Sequence, residues 1–267
     1  MRAAVVADRF YPGSPSELNL YLAQLMPDIP PADKQQALAV ISPHAGYIYS
    51  GSVAGETMDR VRVPDTVVIL GPNHHGRGAP LALGTDTWRM PLGEVAVDQE
   101  LARLILERSR VITEDETAHN DEHSLEVQVP FLQRGNSKVS IVPIVVSHLP
   151  YQVCVEAAAD LASAIREHAR PVLLVASTDM THYESRREAS RKDQLALERI
   201  KALDPKGLYE TVLGNRISMC GIMPTTIVLL AAKELGAKRA RLVRYTDSGE
   251  ASGDTHQVVG YAGLIVD

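Results

Sequence analysis

Four short segments of this chain each end an apolar run in side chains that hold metals or move protons. They are Ser42-Pro43-His44-Ala45-Gly46, Gly71-Pro72-Asn73-His74-His75, Ser177-Thr178-Asp179-Met180-Thr181-His182 and Ser218-Met219-Cys220-Gly221. Imidazole, thiolate and carboxylate are the donors of zinc, copper and non-haem iron sites. If the four ends meet in space, they form a metal site, and the chain is a candidate enzyme. For any single histidine the plainer reading is a hydrogen-bonded ring packed in a turn; four such segments together weaken it. His74 and His75 are adjacent and point apart, so one at most is a ligand, and the other orients it or touches substrate.

Cys220 precedes Gly221 and Pro224, at the start of an expected helix. A thiol there feels the positive helix end, which favours the thiolate as a soft ligand or a nucleophile. An inert core cysteine is the alternative, and it is the reading given to Cys154. His119 and His123 have i, i+4 spacing, but Asn120 and Asp121 between them look like capping residues that would split the pair. His123 and Glu126 would then share a helical face, with Asp121 and Glu122 crowding it with acid. This stretch is either a pocket wall or a solvated helix start. His148 and His168 read as surface residues.

The elements that must position these groups are legible as apolar runs. Residues 37–41, 66–70, 139–146, 172–176, 241–245 and 258–266 are rich in Val, Ile and Leu, and most are continuous rather than alternating, as in strands buried on both faces. Helical patterns cover 16–26, 98–109, 151–168, 188–203 and 224–235, the second opening on an Asp98 cap. Residues 128–133 give a weak helical signal beside a strand-like alternation. Strands alternating with helices imply an α/β fold: one domain over 1–267, three layers, with a largely parallel central sheet. In such a sheet ligands bind beyond the carboxyl ends of the strands, where His44, His74, His75, Asp179 and His182 all fall.

Composition bounds the rest. The 267 residues are 45% hydrophobic, enough for a large core without disulfides, and the two cysteines point to a reducing cytoplasm. A net charge of −6 and no extended basic cluster argue against nucleic acid. No apolar run approaches the ~18 residues of a membrane helix. The chain has no G-x-G-x-x-G after a strand, no Walker loop, no G-x-S-x-G and no paired C-x-x-C, so nucleotide, serine-hydrolase and structural-zinc readings lack their signatures.

Taken in order, Phe10-Tyr11-Pro12, Pro43-His44-Ala45-Gly46-Tyr47, Leu70-Gly71-Pro72-Asn73-His74-His75, Asp121-Glu122-His123-Ser124, Ser177-Thr178-Asp179-x-x-His182, Cys220-Gly221 and Val258-Val259-Gly260-Tyr261-Ala262 resemble the Memo family. In bacteria and archaea this family is also called AmmeMemoRadiSam system protein B. The resemblance implies the fold of the class III extradiol dioxygenases, of the protocatechuate dioxygenase β-subunit type. It also implies metal ligands at His44, His74 and Cys220, with Asp179 and His182 lining the same pocket and His182 as its acid–base residue; as a catalytic pair, Asp179 is expected to orient His182. His75, His123, Glu122 and Tyr47 are expected around them. The expected metal is Fe(II), with Cu or Zn competing, because Cys220 replaces the dioxygenase glutamate and softens the site. Asp8 stands where the family usually has glycine before Arg-Phe-Tyr-Pro.

Three functions follow from these expectations. The first is an oxygenase-like redox enzyme acting on a small, possible aromatic, substrate. The second is a metal-independent enzyme with a Cys220 nucleophile and His182 or His44 as base. The third is a non-catalytic module that binds a metal or a peptide, or partners AMMECR-type and radical-SAM proteins, as the family name implies.

Overall fold

Strand residues of opposite parity feed two different cores. Ile41, Val68, Leu70, Val142, Ile144, Leu174 and Ala176 belong to one buried apolar cluster, while Val40, Val67, Ile69, Ile141, Val145, Leu173 and Val175 belong to another. A strand alternates its side chains between faces, so two cores on one set of strands require a sheet covered on both sides. This is why the runs read as continuous in the sequence.

The computed structural model describes residues 1–267. Its strands are β1 Arg2–Ala3, β2 Ala39–Ser42, β3 Thr66–Pro72, β4 Leu81–Leu83, β5 Trp88–Met90, β6 Gly93–Val95, β7 Thr113–Glu114, β8 Ser140–Val146, β9 Val172–Ser177, β10 His182–Glu184, β11 Ala240–Asp247 and β12 Val258–Val266. Its helices are α1 Pro15–Leu25, α2 Tyr47–Asp59, α3 Gln99–Arg108, α4 Val129–Gly135, α5 Tyr151–His168, α6 Arg186–Lys201, α7 Pro205–Gly214, α8 Ile222–Glu234 and α9 Gly249–Ser252. No helix is long and apolar enough to cross a membrane.

The main sheet runs β10-β12-β2-β9-β3-β8-β4-β7, with β11 also paired to β12. Its centre, β2-β9-β3-β8, is parallel. Outside that centre β4 is antiparallel to β8, and β12 is antiparallel to β2, β10 and β11. The sheet is therefore mixed, parallel where the site is built. β1, β5 and β6 form a small second sheet.

Three helices were not apparent from the sequence pattern, α2, α7 and the four-residue α9. The first carries Gly51 and Gly55, poor helix formers that tertiary packing requires. A Cβ on Gly55 would lie 2.4 Å from the Leu25 carbonyl oxygen, so glycine lets α2 lie against the end of α1. Residues 128–133 do form a helix, α4, led in by a 3₁₀ turn at Glu126–Gln128.

Asp8 has φ 62°, in the left-handed region that favours glycine, and its carboxylate accepts the Gly13 N–H at 2.7 Å. Aspartate tolerates that conformation better than most residues. His168 is a correction: it is buried, not on the surface, with Nε2 3.2 Å from Asp98 and 2.7 Å from Arg170. His148 is exposed and Cys154 is buried.

Candidate metal centre

Three parallel strands end in the loops that build the site. β2 runs out into His44, β3 into His74 and β9 into Asp179. His123 arrives from the segment before α4, and Cys220 from the turn before α8. The donor atoms of His44, His74 and His123 lie within 4.8 Å of one another. Cys220 joins them through His44, its Sγ 3.3 Å from Nε2. His74 and His123 are stacked, with ring centroids 4.6 Å apart, and His44 stands edge-on to both.

Glu122 organises the His74 side. Its carboxylate accepts the His74 main-chain N–H at 2.7 Å, the His74 Nδ1 at 2.9 Å and the Ser124 N–H at 2.9 Å. Burial would raise its pKa, but the hydrogen bonds from His74 and Ser124 hold it at about 2. A charged carboxylate only accepts, so His74 Nδ1 carries the proton and Nε2 is free to bind a metal. His123 is held at about 4 by burial, against the pull of Glu122, and is neutral near pH 7. Burial, and then His74 and His123, keep His44 well below the ordinary imidazole value. These neutral imidazoles are the form that ligates.

The expected thiolate at Cys220 needs correction for the protein without metal. Burial around the sulfur, and then the Asp179 carboxylate, push the thiol well above its ordinary value, outweighing the Asp179 N–H that donates to Sγ at 3.2 Å. The helix end is weaker than burial here, since α8 starts only at Ile222, with Gly221 as its cap. Gly221 must be glycine for space: a Cβ there would sit 2.4 Å from Thr178 Cβ and 2.5 Å from the Ser177 carbonyl. That close approach brings the Cys220 turn against the end of β9.

Asp179 does not orient His182. Its Oδ1 accepts the His44 main-chain N–H at 2.8 Å, and it is buried, which raises its pKa. Ser218 orients His182 instead, accepting from Nδ1 through its carbonyl at 2.9 Å and from the main-chain N–H through its hydroxyl at 2.8 Å. The carbonyl acceptor places the proton on Nδ1 and leaves Nε2 as a base. Tyr47 lies behind the site and does not line it. Its ring packs on Phe131, centroids 4.6 Å apart, and its hydroxyl donates to the Val127 carbonyl, so it supports the His44 loop from within the core. His75 is exposed at the site's edge.

The His119/His123 pair is split, as the capping residues imply: His119 Nε2 donates to the Ala82 carbonyl. Glu126 does not face the site. It takes Arg2, Tyr11 and the Val5 and Val6 N–H groups in a buried cluster that ties down the N-terminus. The sequence reading missed Ser177, Ser124, Gln128 and Ser218. Small polar residues at strand ends carry no signal of their own until the fold brings them to a histidine.

Against known proteins, the family described as "Memo-like protein" matches residues 2–265. The chain belongs to the Memo-like family. The MEMO1 family protein of Archaeoglobus fulgidus is 43% identical over 266 residues, covering 99% of each chain. That of Methanopyrus kandleri is 41% identical, covering 99% of this chain and 98% of the relative. An uncharacterized Escherichia coli K12 protein of known crystal structure superposes with a TM-score of 0.59 over 87% of this Memo-like chain and all of its own. At 16% identity that likeness concerns the fold alone.

Proposed function

We propose that this Memo-like protein binds one redox metal, iron(II) with copper or zinc as competitors, and acts as an oxygenase-like oxidoreductase on a small molecule. The supporting observation is the convergence of three imidazoles within 4.8 Å, with a cysteine sulfur 3.3 Å from one of them, beyond the carboxyl ends of parallel strands. His44, His74 and Cys220 are the proposed ligands, with His123 beside them. The donor set fits the metal: the Glu122 carboxylate makes His74 a better donor, and Cys220 becomes a thiolate when its proton is displaced by the cation. Bound there, the metal would supply one-electron redox chemistry and Lewis acidity.

The chain's own residues handle the proton and the positioning. His182, carried on β10 at the sheet's edge, is partly exposed and takes a proton from substrate at Nε2. Asp179 pins the His44 main chain and donates its N–H to Cys220, so one residue sets the spacing of two ligands. Phe10 packs on His123 with centroids 4.9 Å apart and offers an apolar wall for a flat substrate.

Elemental analysis of protein purified without added metal tests the site. The expected result is one metal per chain in the parent and loss in both His74→Ala and Cys220→Ser; unchanged content in both refutes it. Cobalt substitution separates the third donors, because a thiolate-to-cobalt charge-transfer band that vanishes in Cys220→Ser requires sulfur ligation. Oxygen uptake by the iron(II)-loaded protein across a panel of catechols tests the oxygenase assignment, and no uptake sinks it.

A second reading rests on the same 3.3 Å contact, which is also the geometry of a thiol and its base. The raised thiol pKa weighs against it. Rapid alkylation of Cys220 at neutral pH in metal-loaded protein would favour it.

A further inference from the structure

We propose that Ser177 and Gln128 are positioning residues that hold the His44 ring in one tautomer, with the proton on Nδ1 and the Nε2 lone pair presented beside Cys220. The purpose of this arrangement rests on the metal reading above; the tautomer itself rests only on which groups donate and which accept.

Gln128 is fully buried, and its amide nitrogen lies 2.8 Å from the Pro43 carbonyl and 2.8 Å from Ser177 Oγ. A carbonyl only accepts, so the group facing Pro43 is the NH₂; turning the amide over would press two oxygens together. The other end, Oε1, is buried with no partner. The chain thus leaves a carbonyl oxygen unpaired to keep the two N–H donors where they are, against the usual rule that buried polar groups are satisfied. One N–H goes to Pro43 and the other to Ser177.

Ser177 Oγ has one proton. It lies 2.6 Å from the Ser124 carbonyl, again an acceptor only, and the proton goes there. With one lone pair taken by Gln128, the remaining lone pair faces His44 Nδ1 at 3.0 Å. That contact is a hydrogen bond only if Nδ1 carries the proton. In the tautomer with its proton on Nδ1, Nε2 presents its lone pair, and Nε2 is the atom 3.3 Å from the sulfur. Ser177 is paired in register with Ser42 at the ends of β9 and β2, which sets its height beneath the His44 ring. Ser124, which takes the serine proton, also donates its N–H to Glu122. One loop, residues 122–128, therefore fixes both His44 and His74.

The test is a long-range ¹H–¹⁵N correlation on the metal-free, full-length chain labelled at histidine nitrogen, at neutral pH. The expected spectrum has His44 protonated at Nδ1 in the parent. Ser177→Ala and Gln128→Leu give mixed tautomers, and Ser177→Thr, which keeps the hydroxyl, restores the single form. Zinc affinity, read by competition with a chelating dye, falls about ten- to hundredfold in Ser177→Ala and recovers in Ser177→Thr. A parent His44 protonated at Nε2 overturns the proposal without any variant, as do an unchanged tautomer or unchanged zinc affinity in Ser177→Ala. A parent chain that shows the Nδ1 proton but takes up no zinc, iron or copper refutes the metal reading and leaves the tautomer assignment standing.

Discussion

Replacing Glu122 with glutamine probes the site where the most hydrogen bonds converge. The carboxylate is 1% exposed and accepts three N–H groups, two of them from His74. Its pKa falls from 4.5 to about 2, which at about 1.4 kcal/mol per pH unit is a folded-state preference for the charged form of about 3 kcal/mol. The sign follows from the depression: the stabilisation is complete above 4.5 and is lost as the pH falls through that value towards about 2. Glutamine has nearly the same shape but one acceptor oxygen, and its NH₂ must face an N–H donor. Urea unfolding of the metal-free proteins at neutral pH should therefore show Glu122→Gln less stable by about 3 kcal/mol. For a chain of this length that is roughly 6–12 °C in thermal midpoint. The gap between parent and variant should close as both are taken below pH 4.5, because the parent carboxylate then protonates. A gap under about 1 kcal/mol at neutral pH, or one that stays constant through the acid range, would show that the carboxylate is not held as argued.

Arg2→Met leaves Glu126 buried without its cation, the pair being 4% and 0% exposed, and should cost about 3–5 kcal/mol in urea unfolding; a loss under about 1 kcal/mol refutes the role of this pair. Gly221→Ala forces a methyl group into the Thr178 side chain and the Ser177 carbonyl, so stability should fall by about 1–3 kcal/mol and bound metal should decline with the displaced Cys220. Parent-like metal content in that variant contradicts the close approach. Alkylation of the half-buried Cys220 in metal-free protein should be slow at neutral pH and accelerate as the pH rises towards the raised thiol pKa, which mass spectrometry follows; fast reaction at neutral pH means the sulfur is not held as a thiol as described.

The parallel centre of the sheet was readable because residues such as Val67 to Leu70 and Leu173 to Ala176 are buried on both faces, and unbroken apolar runs have few other uses. The edges were not readable. β4, β5, β6 and β10 are three residues each, too short to show a period. The strand-end rule located His44, His74 and Asp179, but it does not say what each side chain touches. Asp179 was expected to serve His182 and serves the His44 main chain, because a carboxylate two or three residues from several polar groups has no sequence signal for choosing among them. Tyr47, adjacent to the site in sequence, turns into the core because α2 begins there and its first residue faces α4. His168, polar and without an evident partner in the sequence, is buried against Asp98 from a distant segment and Arg170 two residues further on.

Three histidines of the site are tied through Nδ1 to three different acceptors: His74 to a carboxylate, His44 to a hydroxyl and His182 to a main-chain carbonyl. Each acceptor takes the Nδ1 proton and leaves Nε2 facing away from it, yet the three are not equivalent. A charged carboxylate draws the proton most strongly and makes the opposite nitrogen the better electron donor, which suits a ligand. A neutral main-chain carbonyl orients the ring without a charge beside it, which suits the proton exchange proposed for His182 on strand β10. His119 and His168 supply the contrast within the same molecule, since each commits Nε2 to the protein, one on the Ala82 carbonyl and the other between Arg170 and Asp98. A histidine placed only for packing has no need to keep Nε2 clear of oxygen acceptors. His44, His74 and His182 each do so, while His119 and His168 do not, and that contrast supports the ligation and proton transfer proposed above over a purely structural role.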